Sequence, residues 1–206
     1  MAFLSSGDPD VTHSASEGRC YLYVLPCAYE DLLKLGFSRS PLRRLGELQS
    51  RYYEAFDLDR AFLVETETVR DARDLELKLR YALREHRAPV PLSIRHQAGG
   101  HTEWYRGAYA ELRTQADAFS ARGYGLHAPL RDWVARELHA HSDALYAWGA
   151  SVLDALGGDP EQLDAPTLAM LRRQVLDTLD AYPAFGLTLD ERLPEALSRW
   201  HGALRG

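Results

Sequence analysis

Gly107 divides this 206-residue chain into two textures, and that division limits the folds open to it more than any other feature. Before it, short β-branched and aromatic runs alternate with amphipathic helical stretches; after it the strand-like runs disappear and Ala, Leu and acidic residues dominate. Strands interleaved with helices, then helices alone, predict an α+β fold: a small sheet with flanking helices, followed by an all-helical C-terminal extension. The expected units are a flexible N-terminal arm over 1–18, a sheet-containing unit over 19–107 and a helical unit over 108–206.

The arm is rich in Ser, Gly, Asp and Thr and has no apolar period. Order is expected from Arg19. Cys20-Tyr21-Leu22-Tyr23-Val24-Leu25 reads as a strand stopped by Pro26, and Leu32 to Phe37 as a second strand closed by Ser38-Arg39-Ser40-Pro41. Ser40 in the N-cap position before Pro41, with Leu42, Leu45 and Leu48 at helical spacing, predicts a helix from Pro41 to Tyr52. A third strand is expected within 59–67, and a helix over 69–86 with Ala72, Leu75, Leu79, Ala82 and Leu83 on one face. Pro89, Pro91 and Gly99-Gly100 mark a loop or short hairpin before Glu103-Trp104-Tyr105. In the second half, helices are expected over 108–122, 129–156, 166–182 and 189–204. Val134, Leu138, Leu145, Trp148, Val152 and Leu156 form a stripe that suits core packing, or a homodimer seam.

Composition enters here as a set of exclusions. No apolar run approaches the roughly 20 residues that span a bilayer, so no membrane partner is expected. Cys20 and Cys27 lack CxxC spacing and are too few for a disulfide framework; structural thiols are the expected reading. The start of the chain shows no basic segment followed by an apolar core, and a cytoplasmic setting is expected. A net charge of -6 argues on its face against a nucleic-acid partner, yet the halves carry -1 and -5, so the acidity belongs to the helical half. Arg39, Arg43, Arg44 and Arg51, then Arg73, Lys78, Arg80, Arg84 and Arg87, can form a phosphate-contacting strip, or a surface of salt bridges with the interleaved carboxylates.

Four short features of the first unit share a pattern. Tyr21-Leu22-Tyr23 lies in the first strand, Lys34-Leu35-Gly36 in the second, Arg44 eight residues beyond that glycine, and Glu76 in the middle of the second helix. Together with Ser38-Arg39-Ser40-Pro41 and the closing Glu103-Trp104-Tyr105, they resemble the GIY-YIG nuclease superfamily, in particular its branch related to the T5 Orf172 and meiotically up-regulated 113 domains. The resemblance covers residues 19 to about 107.

The resemblance implies a metal-dependent endonuclease that hydrolyses phosphodiester bonds in DNA. Tyr23 would be the general base, Arg44 would bind the scissile phosphate, and Glu76 would hold a divalent cation, Mg²⁺ or Mn²⁺. Tyr21, Arg39, Arg43, Arg80 and Arg84 are the candidate substrate contacts, with Gly36, Ser38, Glu103 and Trp104 in support. The residue types suit the reaction, which needs a base for water, a planar cation on the phosphate and a hard oxygen ligand for the metal. A phenol with a pKa near 10 is a weak base at neutral pH, and Lys34 beside Tyr23 is expected to lower that pKa.

Bland readings stand beside each assignment. Tyr21 and Tyr23 on one strand face can be packing residues. Glu76 can pair with Arg73 or Arg80 on its own helix. Arg44 can balance helix charge, Trp104 can anchor the core, and Glu103 can support the metal or only pin the last strand. Arg80 also stands where many relatives carry a histidine, which either exchanges a proton-transfer helper for a phosphate contact or marks lost activity; His86, His96 and His101 are candidate substitutes. His139 and His141 lack the spacing of a helical metal pair. The alternative function is therefore a catalytically inactive nucleic-acid-binding or protein-interaction module.

Overall fold

The computed structural model describes residues 18–92, 94 and 102–205. The expected arm, up to residue 17, and the Gly99-Gly100 stretch with His96 and His101 lie outside the described residues.

Five antiparallel strands form one sheet: β1 (Cys20–Pro26), β2 (Leu33–Ser38), β3 (Phe62–Thr66), β4 (Trp104–Tyr105) and β5 (Gly125–His127), in the order β4-β2-β1-β3-β5. The β-branched and aromatic run of β1 takes the centre because it can bury both of its faces. By strand alternation, Tyr21, Tyr23 and Leu25 enter one hydrophobic cluster and Leu22 and Val24 the other.

The described residues form eight α-helices. Four belong to the first part of the fold: α1 (Pro41–Leu48), α2 (Tyr52–Ala55), α3 (Val69–Ala82) and α4 (Tyr109–Ser120). The others are α5 (Leu130–Ala140), α6 (Ser142–Ala155), α7 (Ala169–Ala184) and α8 (Glu195–Ala203). Leu75 and Leu79 of α3, with Leu112, Ala116 and Phe119 of α4, pack on the Leu22–Val24 face. The opposite face, carrying Tyr21 and Tyr23, is covered by Leu45 and Leu48 of α1 and by Leu130, Trp133 and Val134 of α5.

Several boundaries differ from expectation for local reasons. The helix expected from Pro41 to Tyr52 ends at Leu48 and resumes as α2 after an extended Gln49. Ser40 does occupy the N-cap position, but its side chain makes no capping bond; its backbone N–H instead donates to Ser38 Oγ (3.0 Å). Thr68 caps α3 by accepting from the Asp71 N–H (3.1 Å), and the last expected turn of that helix is a 3₁₀ turn over 84–86. His141 separates α5 from α6 within the expected 129–156 helix.

The C-terminal region is helical, as expected, with one addition. Gly125-Leu126-His127 forms an edge strand, pairing Leu63 with His127 and Val64 with Leu126. The chain then enters α5 through two backbone bonds, Leu130 N–H to Ala61 (2.8 Å) and Arg131 N–H to Leu58 (3.1 Å). Packing is thus continuous across Gly107. Within the apolar stripe of the helical half, Val134, Leu138, Leu145, Val152 and Leu156 are buried and Trp148 is half-buried, so the chain's own core uses the stripe that was an alternative dimer seam.

Leu130 is fully buried, so Leu130→Ala removes a packed side chain and leaves a cavity. The expected cost is about 2–5 kcal/mol, read as a lower urea midpoint with an unchanged slope. A cost below about 1 kcal/mol would mean that α5 is not anchored on the sheet at this point.

Candidate active site

The register of β1 against β2 sets Tyr23 opposite Gly36 and Leu25 opposite Lys34, so these four residues share one sheet face. The Tyr23 ring lies directly over Gly36: a Cβ built on residue 36 would meet the phenol carbon Cζ at 2.6 Å. The glycine of the second motif supplies space here, since its backbone lies outside the left-handed region. Tyr23 itself is 4% exposed.

Lys34 was the cation expected to face this phenol, and Arg44 the one expected to bind phosphate. Arg44, on α1, makes a long hydrogen bond from Nε to the Tyr23 hydroxyl (3.5 Å) and binds Glu47 through Nη1 (3.2 Å). Lys34 is committed elsewhere: its Nζ donates to Glu103 Oε2 (3.0 Å) and stands 5.8 Å from the Trp104 ring centre. Burial raises the Tyr23 pKa, with the Arg44 hydrogen bond opposing it. The expectation that Lys34 depresses the Tyr23 pKa is therefore corrected in both respects. The shift is upward, and the opposing cation is Arg44. Lys34 is almost fully enclosed, and burial lowers its own pKa against the pull of Glu103.

Glu103 precedes β4 and ties three groups together. Besides Lys34, it accepts from Thr102 and pairs with Arg80 Nη1 (3.4 Å). Burial works to raise its pKa, but the hydrogen bonds from Thr102 and Lys34 outweigh it and hold the carboxylate below its usual range. Trp104 pairs with Lys34 across β2 and is fully buried, a core position that leaves no face for stacking on a base.

Glu76 lies on the buried side of α3, beside Leu75, and is 7% exposed. Among the described residues its carboxylate has neither a hydrogen bond nor an ion pair, and burial followed by the charge of Glu103 raises its pKa. Arg80, Lys34 and Arg73 act on it in the opposite sense through space. A buried carboxylate without a donor is what a single hard-oxygen ligand looks like before a cation binds. Of the two glutamates, Glu103 has its oxygens taken by Lys34, Arg80 and Thr102, which leaves Glu76 as the candidate ligand. Among the described residues no three His, Cys, Asp or Glu side chains form a metal cage. The donor set fits Mg²⁺, which commonly keeps several waters and uses one or two carboxylates.

The remaining sequence candidates separate. Arg80 joins the cluster through Glu103, while Arg84 is exposed and pairs with Glu85 (3.1 Å). Arg43 is exposed and pairs with Glu47 (3.5 Å), Arg39 is exposed in the turn before α1, and Ser38 supports that turn through its hydroxyl. Tyr21 packs edge-on against Trp133, with ring centres 5.7 Å apart. His86 binds the Arg106 carbonyl through Nδ1 (2.9 Å). Cys20 is buried and Cys27 half-buried, both as free thiols, and burial pushes the Cys27 thiol up to about 12.

The sequence reading missed the part played by the helical half. Leu130 lines a crevice with Tyr23, Arg44, Leu45 and Leu63 that is too tight for a water molecule, and Trp133 supports Tyr21. Pro129 and the apolar residues after it signal a helix start, but no spacing in the chain says that this helix closes on β1.

A family model described as the T5orf172 domain matches residues 20–120, which run from the start of β1 to the end of α4. No curated protein and no solved structure matches the chain.

Proposed function

With its first half a T5orf172 domain, a nuclease-related family, the chain is one that we propose to be a metal-dependent endonuclease hydrolysing phosphodiester bonds in DNA. The observation that carries this reading is the Tyr23 hydroxyl held over Gly36 and bonded to Arg44, in the electrostatic field of a buried Glu76 that lacks a donor among the described residues.

Each side chain then has a task. The ionised Tyr23 phenolate, stabilised by Arg44, accepts a proton from the attacking water and becomes the neutral phenol, while the Arg44 guanidinium also faces the phosphate oxygens. Glu76 holds the divalent cation, Mg²⁺ or Mn²⁺, which when bound supplies Lewis-acid stabilisation of charge on the phosphate and leaving oxygens. Glu103 keeps Lys34 and Arg80 in place, so that β4 and α3 hold a fixed separation around Glu76. Lys34 serves as a charge-balancing strut beneath the site.

Cleavage of plasmid, single-stranded DNA and RNA with Mg²⁺ or Mn²⁺ tests the reading. Tyr23→Phe and Glu76→Gln are expected to lower the rate by about 10² to 10⁴-fold, the usual contribution of a positioned base. Should the purified parent cut none of these substrates faster than the two variants, the enzyme reading fails.

The pKa direction gives a second test. A phenol with a pKa above about 10 is ionised to roughly one part in a thousand or less at pH 7, so the rate is expected to climb with pH, near tenfold per unit, without levelling before pH 9. A parent profile flat between pH 7 and 9, matched by Tyr23→Phe, would remove Tyr23 as the base.

One observation favours a second reading, a domain that binds nucleic acid without cutting it. The crevice beside Tyr23 has no room for a water molecule, and α5 closes it through Leu130. In that case the parent binds DNA and the Tyr23→Phe protein binds it equally well.

A further inference from the structure

A cleft of about 350 Å³ opens where the first turn of α1 meets α5. Tyr21 and Trp133 line it from the sheet and from α5, and both are mostly buried, so they act as a floor. Arg39 and Arg43 line it from the sheet-containing half, and Glu137 and His141 from the helical half. Pro41 borders this cleft and also the crevice holding Tyr23 and Arg44, and Arg43 precedes Arg44 in the same helix. The cleft therefore adjoins the candidate site on the α1 side.

Its chemistry is specific. Two guanidinium groups offer planar, permanently charged donors that fit phosphate oxygens. The Nδ1 of His141 is bound to the Glu137 carbonyl (2.6 Å), which fixes the ring and leaves Nε2 for another partner. The volume is at the small end of the roughly 300–1,000 Å³ range of ligand sites and holds about one nucleotide unit. Glu137 is the acidic member of the lining and limits the cleft to one phosphate, since a second anion would meet its carboxylate. A carboxylate there can also accept from a base amino group or a hydroxyl.

We propose that this cleft is a substrate subsite that seats the nucleotide flanking the scissile phosphate on the cut strand, with Arg39 and Arg43 on its phosphate and His141 contributed by the helical half. The inference rests on the endonuclease reading and deepens it. The helical half, although acidic as a whole, supplies one wall of the substrate path. The family match ends at residue 120, so that wall lies outside the matched region.

Fluorescence anisotropy of a labelled single-stranded 20-mer, and of the same oligonucleotide in duplex, tests the proposal in the full chain carrying Glu76→Gln to block turnover. Arg39→Ala with Arg43→Ala is expected to weaken binding at least tenfold and to flatten the plot of log affinity against log salt by about 0.7 to 0.9 units, the slope carried by the one phosphate that the two arginines share. Glu137→Lys is expected to tighten binding severalfold, whereas Asp154→Lys on α6, outside the cleft, leaves it unchanged; His141→Ala weakens it about threefold. All five positions are surface or half-buried, and circular dichroism confirms folding. Equal affinity and salt slope for the double variant, or equal responses to Glu137→Lys and Asp154→Lys, would overturn the subsite while leaving the endonuclease reading intact. A parent that neither binds nor cuts any nucleic acid overturns both.

Discussion

Gly36→Ala is expected to abolish most of the activity that Tyr23→Phe abolishes, although it removes no chemical group. The added methyl would lie 2.6 Å from Cζ and 3.0 Å from Cε2 of the Tyr23 ring, inside any tolerable contact. The ring cannot simply tilt away, because Leu63 flanks it from β3 and Leu45 and Leu130 close the far side. Either the phenol shifts away from Arg44 or β1 and β2 separate locally. Overpacking of this kind costs about 1–3 kcal/mol in stability. On the proposed endonuclease reading the cleavage rate should fall by about 10²-fold or more, as misplacing a base by an ångström would do. A double-mutant cycle identifies the cause: Gly36→Ala in a Tyr23→Phe background should add little further loss, since both changes remove one positioned hydroxyl. Full additivity in that cycle would mean that the glycine serves something other than the tyrosine.

Asp180→Ala is the substitution with the largest expected effect on stability. Asp180 on α7 is 8% exposed, and its carboxylate collects His201 Nε2 (2.8 Å), Arg51 Nη1 (3.0 Å) and Arg205. Arg51 also binds Glu54 (2.6 Å) and Asp177 (3.4 Å), so the network joins the break between α1 and α2 to α7 and α8. Arg51 keeps Glu54 and Asp177 when the central anion is removed, but the buried His201 loses its acceptor, a loss of about 3–5 kcal/mol. Burial works to raise the Asp180 pKa, but the hydrogen bonds from His201, Arg51 and Arg205 overcome it and the net shift is downward. A depressed carboxylate stabilises the fold above its unfolded pKa, about 3.9, and that contribution is lost as pH falls through the lower folded value. The gap between parent and Asp180→Ala in chemical denaturation should therefore be full at pH 7 and shrink below about pH 4. A gap independent of pH would show that lost packing, and not charge, sets the cost.

The parts of this molecule legible in its sequence are those whose cause is local. β1 and β2 follow from the apolar runs of 20–25 and 32–37, and α3 from the period of Ala72, Leu75 and Leu79 with its Thr68 cap. The grouping of Tyr23, Gly36, Arg44 and Glu76 came from the resemblance to the GIY-YIG pattern, whose order and spacing these residues keep. Their electrostatics were not. Which cation faces the phenol depends on where Glu103 returns, and Lys34 is drawn to it by a pairing 69 residues away in the chain. β5 was equally hidden, since three residues with a glycine at their head carry no strand pattern and owe their pairing to the open edge of β3. The end of α1 at Leu48 belongs to the same class: the break puts Arg51 within reach of Asp177 and Asp180, more than a hundred residues later.

The sheet order also carries a message about time. The three strands met first by a growing chain, β1, β2 and β3, occupy the centre, while β4 and β5, made later, take the two edges. A nascent chain can pair its central strands by local closure soon after residue 66 emerges. At that stage Tyr23 already has Gly36 beneath it, but Lys34 has no Glu103 and the phenol face has no Leu130 above it. The lysine strut arrives with β4, and the cover arrives with α5, after the second edge has paired. By this order, synthesis leaves an interval in which the Tyr23 face is paired but not yet covered, and the late edge strands and α5 end it.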